Sequence, residues 1–157
     1  MSTLYVDTIT EKTSGNGVQI QDHVVQVKHQ AFATTTIIST QNAWIDTGLT
    51  QNITVSQGNK ILANCDLCSG QLSGASNMGM YIRLLEGSNV FSSQHVEEHL
   101  GSYTLNNTHI RGLSSALNAG SYTFKCQVFV LPVASAYFRF NWTGVGESHF
   151  TLMEIAQ

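Results

Sequence analysis

Residues 120–132 have the sequence GSYTFKCQVFVLP, which carries a clear secondary-structure pattern. Apolar and polar side chains alternate along it, which is the pattern of a β-strand with one face in a core. The inner row would be Tyr122, Phe124, Cys126, Val128 and Val130. Toward the end the polar side turns apolar at Phe129 and Leu131, so we expect these two residues to form a contact between subunits.

The composition favours strands and turns over helices. Charged residues make up 11% of the 157 residues, against roughly 25% in an average soluble protein. The polar surface is carried instead by 16 serines, 16 threonines, 11 asparagines and 11 glutamines, whereas exposed helix faces usually carry Glu and Lys. A chain of this length buries one core, so we expect one main all-β domain.

The charge pattern argues against several classes of partner. The formal net charge is −3 and the seven basic residues are scattered singly, so we expect no nucleic-acid partner. The absence of a long apolar run predicts no membrane insertion.

The first ten residues, MSTLYVDTIT, lack the basic and apolar regions of a signal peptide, and three cysteines are an odd number. Both features favour a product of the reducing cytoplasm with free thiols.

Residues 1–22 form a segment distinct from the main domain, which covers residues 23–157. Two short β-type runs in this segment flank the strong turn signal Asn16-Gly17. So short a segment cannot bury its own apolar side chains. We therefore predict an extended attachment segment in which four residues contact the main domain or other chains: Leu4, Tyr5, Val6 and Ile9.

Within residues 23–157, strand and turn signals recur about every ten residues, which is the spacing of a sandwich or barrel. Strand patterns cover residues 23–36, 43–49, 51–56, 60–67, 80–84, 120–132, 137–142 and 149–155. Residues 69–77 predict a Gly/Ser loop, and residues 91–117 predict a loop, one helical turn and one strand. About nine strands without helical crossovers predict a mostly antiparallel, jelly-roll-like two-sheet β-sandwich.

One histidine motif has the spacing of a zinc site. His95, Glu98 and His99 fit the H-x-x-E-H pattern, which brings two histidines together only on a helix. The flanking residues are poor helix formers, so we expect a solvated loop or turn, with a metal site as the minor alternative.

The three cysteines predict no chemistry. Cys65 and Cys68 form a single CxxC motif, which cannot complete a four-ligand zinc site. We expect Cys65 in the core and Cys68 as a thiol at a strand end, with a redox or metal role as the alternative. Cys126 is expected to fill space in the core.

The sequence contains no motif for a catalytic nucleophile, a phosphate or a dinucleotide. We expect no enzymatic activity and no cofactor, and a pair of carboxylates that assembles only in space is the alternative.

Aromatic rings stack well on the face of a sugar, whereas core or interface packing is their more common use. Five aromatic residues are candidates for a glycan site: Trp44, Tyr81, Tyr103, Tyr137 and Trp142.

The N-terminal stretch and the order of the later motifs resemble virion fibre proteins of tailed phages that infect marine bacteria and cyanobacteria. The stretch is LYVDTITEKTSGNGV at residues 4–18, followed by a short spacer and the β-type run of residues 23–36. The later motifs are WIDTGL at residues 44–49, GNKIL at 58–62, YIRLL at 81–85 and TLMEI at 151–155. The resemblance thus covers most of the chain.

This resemblance implies a non-enzymatic virion structural protein of the tail-fibre type, a homotrimer assembled in the host cytoplasm. The N-terminal segment would dock to other virion proteins, and the sandwich would be displayed outward to bind host-surface glycan. Many relatives carry a longer shaft or several copies of the VDTI-type motif, whereas this chain has one copy, which favours a short tail fibre or a fibre or tail tip. The alternatives are a capsid-decorating or baseplate protein without receptor binding, and a carbohydrate-processing enzyme.

Overall fold

The computed structural model describes residues 22–73, 78–98, 104–132, 137–141 and 146–157. The described residues form ten strands: β1 (Val24–Phe32), β2 (Thr36–Ile38), β3 (Trp44–Val55), β4 (Lys60–Ser73), β5 (Met78–Glu86), β6 (Asn89–Glu98), β7 (Thr104–Leu113), β8 (Gly120–Val130), β9 (Tyr137–Phe140) and β10 (Ser148–Ile155). In this part of the chain no helix has the length and apolar character that crossing a bilayer requires.

The strands form two sheets that enclose one core. Sheet A has the order β1-β10-β4-β9-β2, with β7 paired to β4 in addition, and sheet B has the order β3-β8-β5-β6. Every pairing between these strands is antiparallel. Buried side chains from both sheets meet in a single cluster. The predicted antiparallel two-sheet β-sandwich is therefore confirmed.

Strand β8 lies inside sheet B, between β3 and β5. Phe124, Cys126, Val128 and Val130 are fully buried on its inner side, while Tyr122 at its start is half-buried. Because β8 pairs along both of its edges, its outward side chains are flanked by those of two neighbouring strands. The alternating pattern of residues 120–132 correctly identified this strand and its buried row.

Strand β3 is one continuous strand, so the prediction of two separate strands at residues 43–49 and 51–56 is wrong. The apparent break is a bulge, where the pairing of β3 with β8 shifts between Asp46 and Thr50. Gly48 adopts φ +86° there, a conformation that glycine reaches without steric cost. The Thr47 hydroxyl holds the bulge by donating a hydrogen bond to the Cys126 carbonyl at 2.9 Å.

Strand β4 is longer than predicted, because it continues through the first part of the expected Gly/Ser loop to Ser73. Its far end pairs with β7 at residues 70–72 and with β9 at residues 71–73. These partners are remote in sequence and supply the backbone hydrogen bonds that override the weak strand propensity of glycine and serine.

The prediction of a single strand within residues 91–117 is also wrong. This region contains most of β6 and all of β7, so the sandwich has ten strands in its described part where about nine were expected. The two strands meet at a corner between the sheets, where the Ser92 hydroxyl donates to the Arg111 carbonyl at 2.8 Å. A Cβ atom at Gly112 would lie 2.6 Å from the Ser92 Cβ and 3.0 Å from the Phe91 ring. The corner thus depends on a residue without a side chain.

A buried carboxylate closes one end of the core. Glu154 is fully buried on the inward row of β10. Its oxygens accept hydrogen bonds from the Ser56 N–H at 2.7 Å, the Asn59 amide at 2.8 Å and the Gln26 amide at 2.5 Å. Burial by itself raises the pKa of Glu154, but these hydrogen bonds outweigh burial and hold the pKa below its usual value. The ionised carboxylate therefore ties β1 and β10 to the turn between β3 and β4.

Several residues singled out in the sequence lie outside the described residues. They are the four predicted attachment residues, two of the aromatic candidates and one histidine: Leu4, Tyr5, Val6, Ile9, Tyr103, Trp142 and His99.

Candidate ligand-binding face on sheet B

Four ring-bearing side chains form one row across the outer face of sheet B. Trp44 of β3 lies opposite Phe129 of β8, Phe129 lies opposite Tyr81 of β5, and Tyr81 lies opposite His95 of β6. All four side chains are at least partly exposed. Directly opposed residues on neighbouring strands place their side chains side by side on one face. We call this set the aromatic row.

The rings of the aromatic row pack at different angles and leave a shallow cleft. The centroids of Trp44 and Phe129 are 5.5 Å apart with the planes tilted by 56°, and Tyr81 meets Phe129 edge to face at 6.1 Å. Tyr81 and His95 stack at 4.4 Å. A cleft of about 260 Å³ is lined by Trp44, Tyr81 and Phe129. The cleft is apolar and open to solvent, and its rings turn both faces and edges toward it.

Leu131 extends the row beyond the end of β8, over a glycine. The Leu131 N–H donates a hydrogen bond to the Gly79 carbonyl at 3.1 Å. A Cβ atom at Gly79 would lie 2.8 Å from the Leu131 Cδ1 and 3.2 Å from the His95 Nε2. Because Gly79 has no side chain, Leu131 and His95 both approach it. The two residues predicted as a subunit contact, Phe129 and Leu131, thus belong to one surface with the aromatic row.

A row of polar side chains runs beside the aromatic row. The Arg83 guanidinium lies 4.0 Å from the centre of the Trp44 ring and donates to the Gln127 Oε1 through Nε at 2.9 Å and Nη2 at 2.6 Å. Gln127 in turn donates to Asp46 at 2.7 Å, and the Lys125 Nζ lies 3.1 Å from the same carboxylate. The aromatic and polar groups therefore form one continuous surface.

The surroundings of the polar row shift the pKa values of Asp46 and Arg83. Burial by itself raises the pKa of Asp46, but the hydrogen bond from Gln127 and the nearby Lys125 ammonium outweigh it and hold the pKa below its usual value. Burial lowers the pKa of Arg83 from its usual value, and Asp46 partly offsets this. Two of the five N–H groups of the Arg83 guanidinium are used in the bonds to Gln127. The surface thus offers apolar ring faces beside charged hydrogen-bonding groups.

Of the three aromatic candidates for glycan binding that lie in the described residues, the structure brings two together. Trp44 and Tyr81 share the cleft, whereas Tyr137 lies on β9 of sheet A. Phe129, predicted only as a subunit contact, joins Trp44 to Tyr81. Alternation along residues 80–84 indicates that Tyr81 and Arg83 share one side of their strand, but the sequence does not show which strands are their neighbours. The role of His95 in the row was missed for the same reason.

A second, more polar cleft lies on sheet A. It has a volume of about 380 Å³ and is lined by Asp66, Leu67, Cys68, Asn107, Gly146, Glu147 and His149. The Asp66 carboxylate lies 2.5 Å from the His109 Nδ1, and His149 stacks on His29 with ring centroids 5.3 Å apart. Two carboxylates, Asp66 and Glu147, therefore line one cleft although they are far apart in sequence.

The described residues provide no cluster of three or more side chains arranged to hold a metal ion. His95 lies on the extended strand β6, so the helical spacing that H-x-x-E-H requires is not present at this histidine. No disulfide joins the three cysteines: Cys65 and Cys126 are buried, and Cys68 is half-buried. A hydrogen bond with Cys126, together with burial, raises the pKa of the Cys65 thiol well above its usual value, which keeps this thiol protonated and unreactive.

No protein-family model and no curated protein sequence matches this chain. Similar solved structures include the apo form of a cyclase from Fischerella sp., at 10% identity over 88% of this chain and 91% of that chain, with a TM-score of 0.36. A chain of infectious bursal disease virus, Gx strain, is similar at 10% identity over 85% of this chain, with a TM-score of 0.32. This chain covers 38% of that viral chain.

The CBM22-1 xylan-binding domain of Xyn10C from Paenibacillus barcinonensis is similar at 6% identity over 89% of this chain and 99% of that domain, with a TM-score of 0.30. These proteins differ widely in their described roles. Likenesses this distant do not identify a function.

Proposed function

We propose that the protein is a non-enzymatic structural protein of a phage virion, a short tail fibre or a fibre or tail tip, which binds host-surface glycan through the aromatic row. The observation that carries the glycan assignment is the row itself, in which Trp44, Phe129 and Tyr81 form an open apolar cleft beside Arg83, Gln127 and Asp46. The assignment to a virion is supported by the resemblance of residues 4–18 and of the later motifs to phage fibre proteins.

Sugar chemistry matches both halves of this surface. The C–H face of a pyranose ring is apolar and packs against an aromatic ring, while its hydroxyl groups need hydrogen-bond partners at the rim. The rings of Trp44 and Tyr81 provide the apolar surface on which a sugar ring can pack. The Arg83 guanidinium provides charged hydrogen-bond donors close to the Trp44 ring. A ligand that is apolar on its faces and polar on its edges therefore suits this surface better than a purely apolar or purely charged one.

The rest of the proposal concerns assembly. The protein is a homotrimer, assembled in the host cytoplasm and incorporated into the particle, and residues 1–22 attach it to other virion proteins or to other copies. In the attachment segment, Leu4, Tyr5, Val6 and Ile9 make the apolar contacts. A capsid-decorating or baseplate protein without receptor binding is the alternative within the virion.

A second use of the same surface is a contact between subunits. Leu131 adds an aliphatic side chain beside the aromatic row, and Trp, Tyr and Arg are the residues that most often dominate protein interfaces. In this alternative, Phe129 and Leu131 face a neighbouring copy, and glycan is bound elsewhere. The two uses differ in what the loss of the row does to the oligomeric state.

The experiment that tests the glycan assignment is binding to purified host-surface polysaccharide by the complete protein. We expect Trp44→Ala and Tyr81→Ala each to weaken binding about tenfold, because each removes a stacking surface. Ser121→Ala is the matched control, since Ser121 is exposed on the same outward side of β8 but lies away from the row. Equal binding by all three variants would overturn the assignment. Labelling of intact particles then distinguishes a tail position from a capsid decoration.

A further inference from the structure

One cation of the polar row has no carboxylate of its own. The Lys125 ammonium lies 3.1 Å from the Asp46 carboxylate, so these two charges neutralise each other. Arg83 bonds instead to the uncharged amide of Gln127, and within the described part of the chain no carboxylate forms an ion pair with it. The polar row thus contains two cations and one anion, and its surplus positive charge lies on the Arg83 guanidinium.

The bonds to Gln127 leave one edge of this guanidinium open. Nε and Nη2 both donate to the same oxygen, Oε1 of Gln127, and they form the side edge of the planar group. A guanidinium has five N–H groups, so three remain, two on Nη1 and one on Nη2. At the end edge, one N–H from each Nη points in the same direction, which is the spacing that the two oxygens of a carboxylate match. We call this pair of donors the open fork.

The guanidinium that carries the open fork is held in place from two sides. The centre of the Trp44 ring lies 4.0 Å from its central carbon. Gln127, which accepts its two hydrogen bonds, is itself fixed because its amide donates to Asp46 at 2.7 Å. Ordering a long side chain is one of the costs of binding, and a side chain that is already ordered reduces this cost. Arg83 is therefore preorganised to receive a ligand.

The open fork and the apolar cleft meet at one ring. Arg83 belongs to β5 and Trp44 to β3, with β8 between them, so the Arg83 side chain reaches across a strand. The same Trp44 ring lines the cleft together with Tyr81 and Phe129. One ligand that fills the cleft can therefore also contact the guanidinium.

We propose that the glycan bound by the aromatic row is acidic, and that Arg83 binds a sugar carboxylate through the open fork while the apolar face of the sugar packs in the cleft. A uronic acid residue combines these two features, because its carboxylate is attached directly to the pyranose ring. The single surplus charge of the polar row balances one carboxylate, whereas a phosphate group carries nearly two negative charges at neutral pH. This inference rests on the glycan binding proposed above and names the class of sugar.

The charge of the whole chain makes this cation decisive. The formal net charge is −3, so the protein as a whole does not attract a polyanion. Affinity for an acidic glycan must then come from a local positive group in a fixed position. The loss of that one group is expected to remove the preference for the acidic form.

Chemical modification of the polysaccharide tests the inference. The complete protein is titrated calorimetrically with purified host-surface polysaccharide, either intact or after reduction of its carboxyl groups to primary alcohols, which keeps the sugar rings and removes the charge. We expect the intact form to bind about tenfold or more tightly than the reduced form, because hydrogen bonds to a charged acceptor are lost. Equal binding of the two forms would overturn the inference. So would binding that is lost on removal of sulfate groups and kept on carboxyl reduction.

Two arginine variants show whether Arg83 is the group that reads the carboxylate. Arg83→Gln removes the fork and its charge, and we expect intact and carboxyl-reduced polysaccharide to bind this variant about equally. Arg111→Gln is the matched control, since Arg111 is an exposed arginine on β7 of sheet A and the net charge changes by the same amount. The control is expected to keep the preference.

The variants can also contradict the inference. If Arg83→Gln weakens the binding of both forms by the same factor, Arg83 only supports the Trp44 ring. If Arg111→Gln loses the preference to the same extent as Arg83→Gln, the preference comes from the overall charge and not from the open fork. Either result would overturn the assignment of Arg83.

Failure of this inference is separable from failure of the proposed glycan binding. If neither form of the polysaccharide binds the unmodified protein, the glycan assignment is wrong and the inference falls with it. If both forms bind equally and Trp44→Ala weakens both, the glycan assignment stands and only the acidic character of the sugar is wrong.

Discussion

Trp44 and Phe129 lie directly opposite each other on β3 and β8, with their ring centroids 5.5 Å apart. They are joined by the pairing of two strands that are remote in sequence, and the same pairing sets Gln127 beside Asp46. The Trp44–Phe129 contact of the aromatic row and the Asp46–Gln127 contact of the polar row are therefore products of one strand register. A change in that register would separate both pairs at once.

The guanidinium of Arg83 is expected to contribute directly to glycan binding. Arg83→Lys keeps the positive charge but loses the planar fork of donors that Gln127 and the Trp44 ring hold in place. We expect the affinity for host polysaccharide to fall about tenfold, with a smaller change in thermal stability. Titration calorimetry beside thermal melting measures both quantities. An unchanged affinity would show that Arg83 only supports the Trp44 ring.

Replacing Phe129 and Leu131 by Asp decides between the two uses of the aromatic row. Both side chains are half-exposed, so the charges point outward and the monomer is expected to stay folded. If the row binds glycan, the double variant loses binding and keeps its oligomeric state. If the row is a subunit contact, analytical ultracentrifugation shows monomers while circular dichroism remains that of a folded sandwich. A trimer that still binds glycan would contradict both uses.

Glu154 is expected to make stability depend on pH in the acid range. Its pKa is lowered in the folded state, so its contribution to the free energy of unfolding is complete above the unfolded value of about 4.3 and is lost as the pH falls through the lower folded value. Glu154→Gln removes this titration. We expect the variant to be less stable by about 1–3 kcal/mol at pH 7.

A comparison of the unmodified protein with Glu154→Gln at several pH values shows whether the carboxylate charge causes the difference in stability. Chemical denaturation at several pH values between 7 and 3 gives the difference in the free energy of unfolding. We expect that difference to shrink as the pH is lowered, because protonation of Glu154 weakens the hydrogen bonds that its carboxylate accepts from Ser56, Asn59 and Gln26. A difference that stays constant with pH would assign the effect to shape and packing instead.

Gly112 is expected to tolerate no side chain. A Cβ atom there would lie 2.6 Å from the Ser92 Cβ and 3.0 Å from the Phe91 ring, and both neighbours belong to the corner where β6 meets β7. We expect Gly112→Ala to lower the free energy of unfolding by about 1–3 kcal/mol. Gly120→Ala is the control, since its Cβ would have its nearest contact at 3.6 Å. Equal stabilities of the two variants would contradict a tightly packed corner.

The cleft on sheet A provides the test of the enzymatic alternative. Asp66 and Glu147 both line it, and a pair of carboxylates across a groove is the arrangement of glycosidases. The proposed non-enzymatic function predicts that the protein releases no soluble sugar from host polysaccharide, as measured by the appearance of reducing ends. Release that disappears in Asp66→Asn and in Glu147→Gln, but persists in Trp44→Ala, would instead identify a carbohydrate-processing enzyme.

The strands were predictable where local pattern and tertiary environment agree. In β8, alternation of apolar and polar residues matches burial on one face and exposure on the other, so Phe124, Cys126 and Val128 were correctly placed in the core. The predictions were wrong where distant partners override local signals. The glycine of the β3 bulge has the local signal of a strand end, but β3 continues past it because it pairs with β8 on both sides of the bulge. The Gly/Ser part of β4 has the local signal of a loop, but it is a strand because it pairs with β7 and β9.

Composition and side-chain alternation were enough to predict an all-β, antiparallel chain with a core strand within residues 120–132, and to select Trp44 and Tyr81 as candidates for glycan binding and Phe129 as a candidate for a subunit contact. These properties follow from side-chain period and composition, which act over a few residues. The folded arrangement was needed to show that these three rings share one cleft with Arg83 beside them, and that Asp66 and Glu147 share another. The reason is that strand order and register are set by contacts between segments far apart in sequence, where a shift of one residue moves every side chain to the other face.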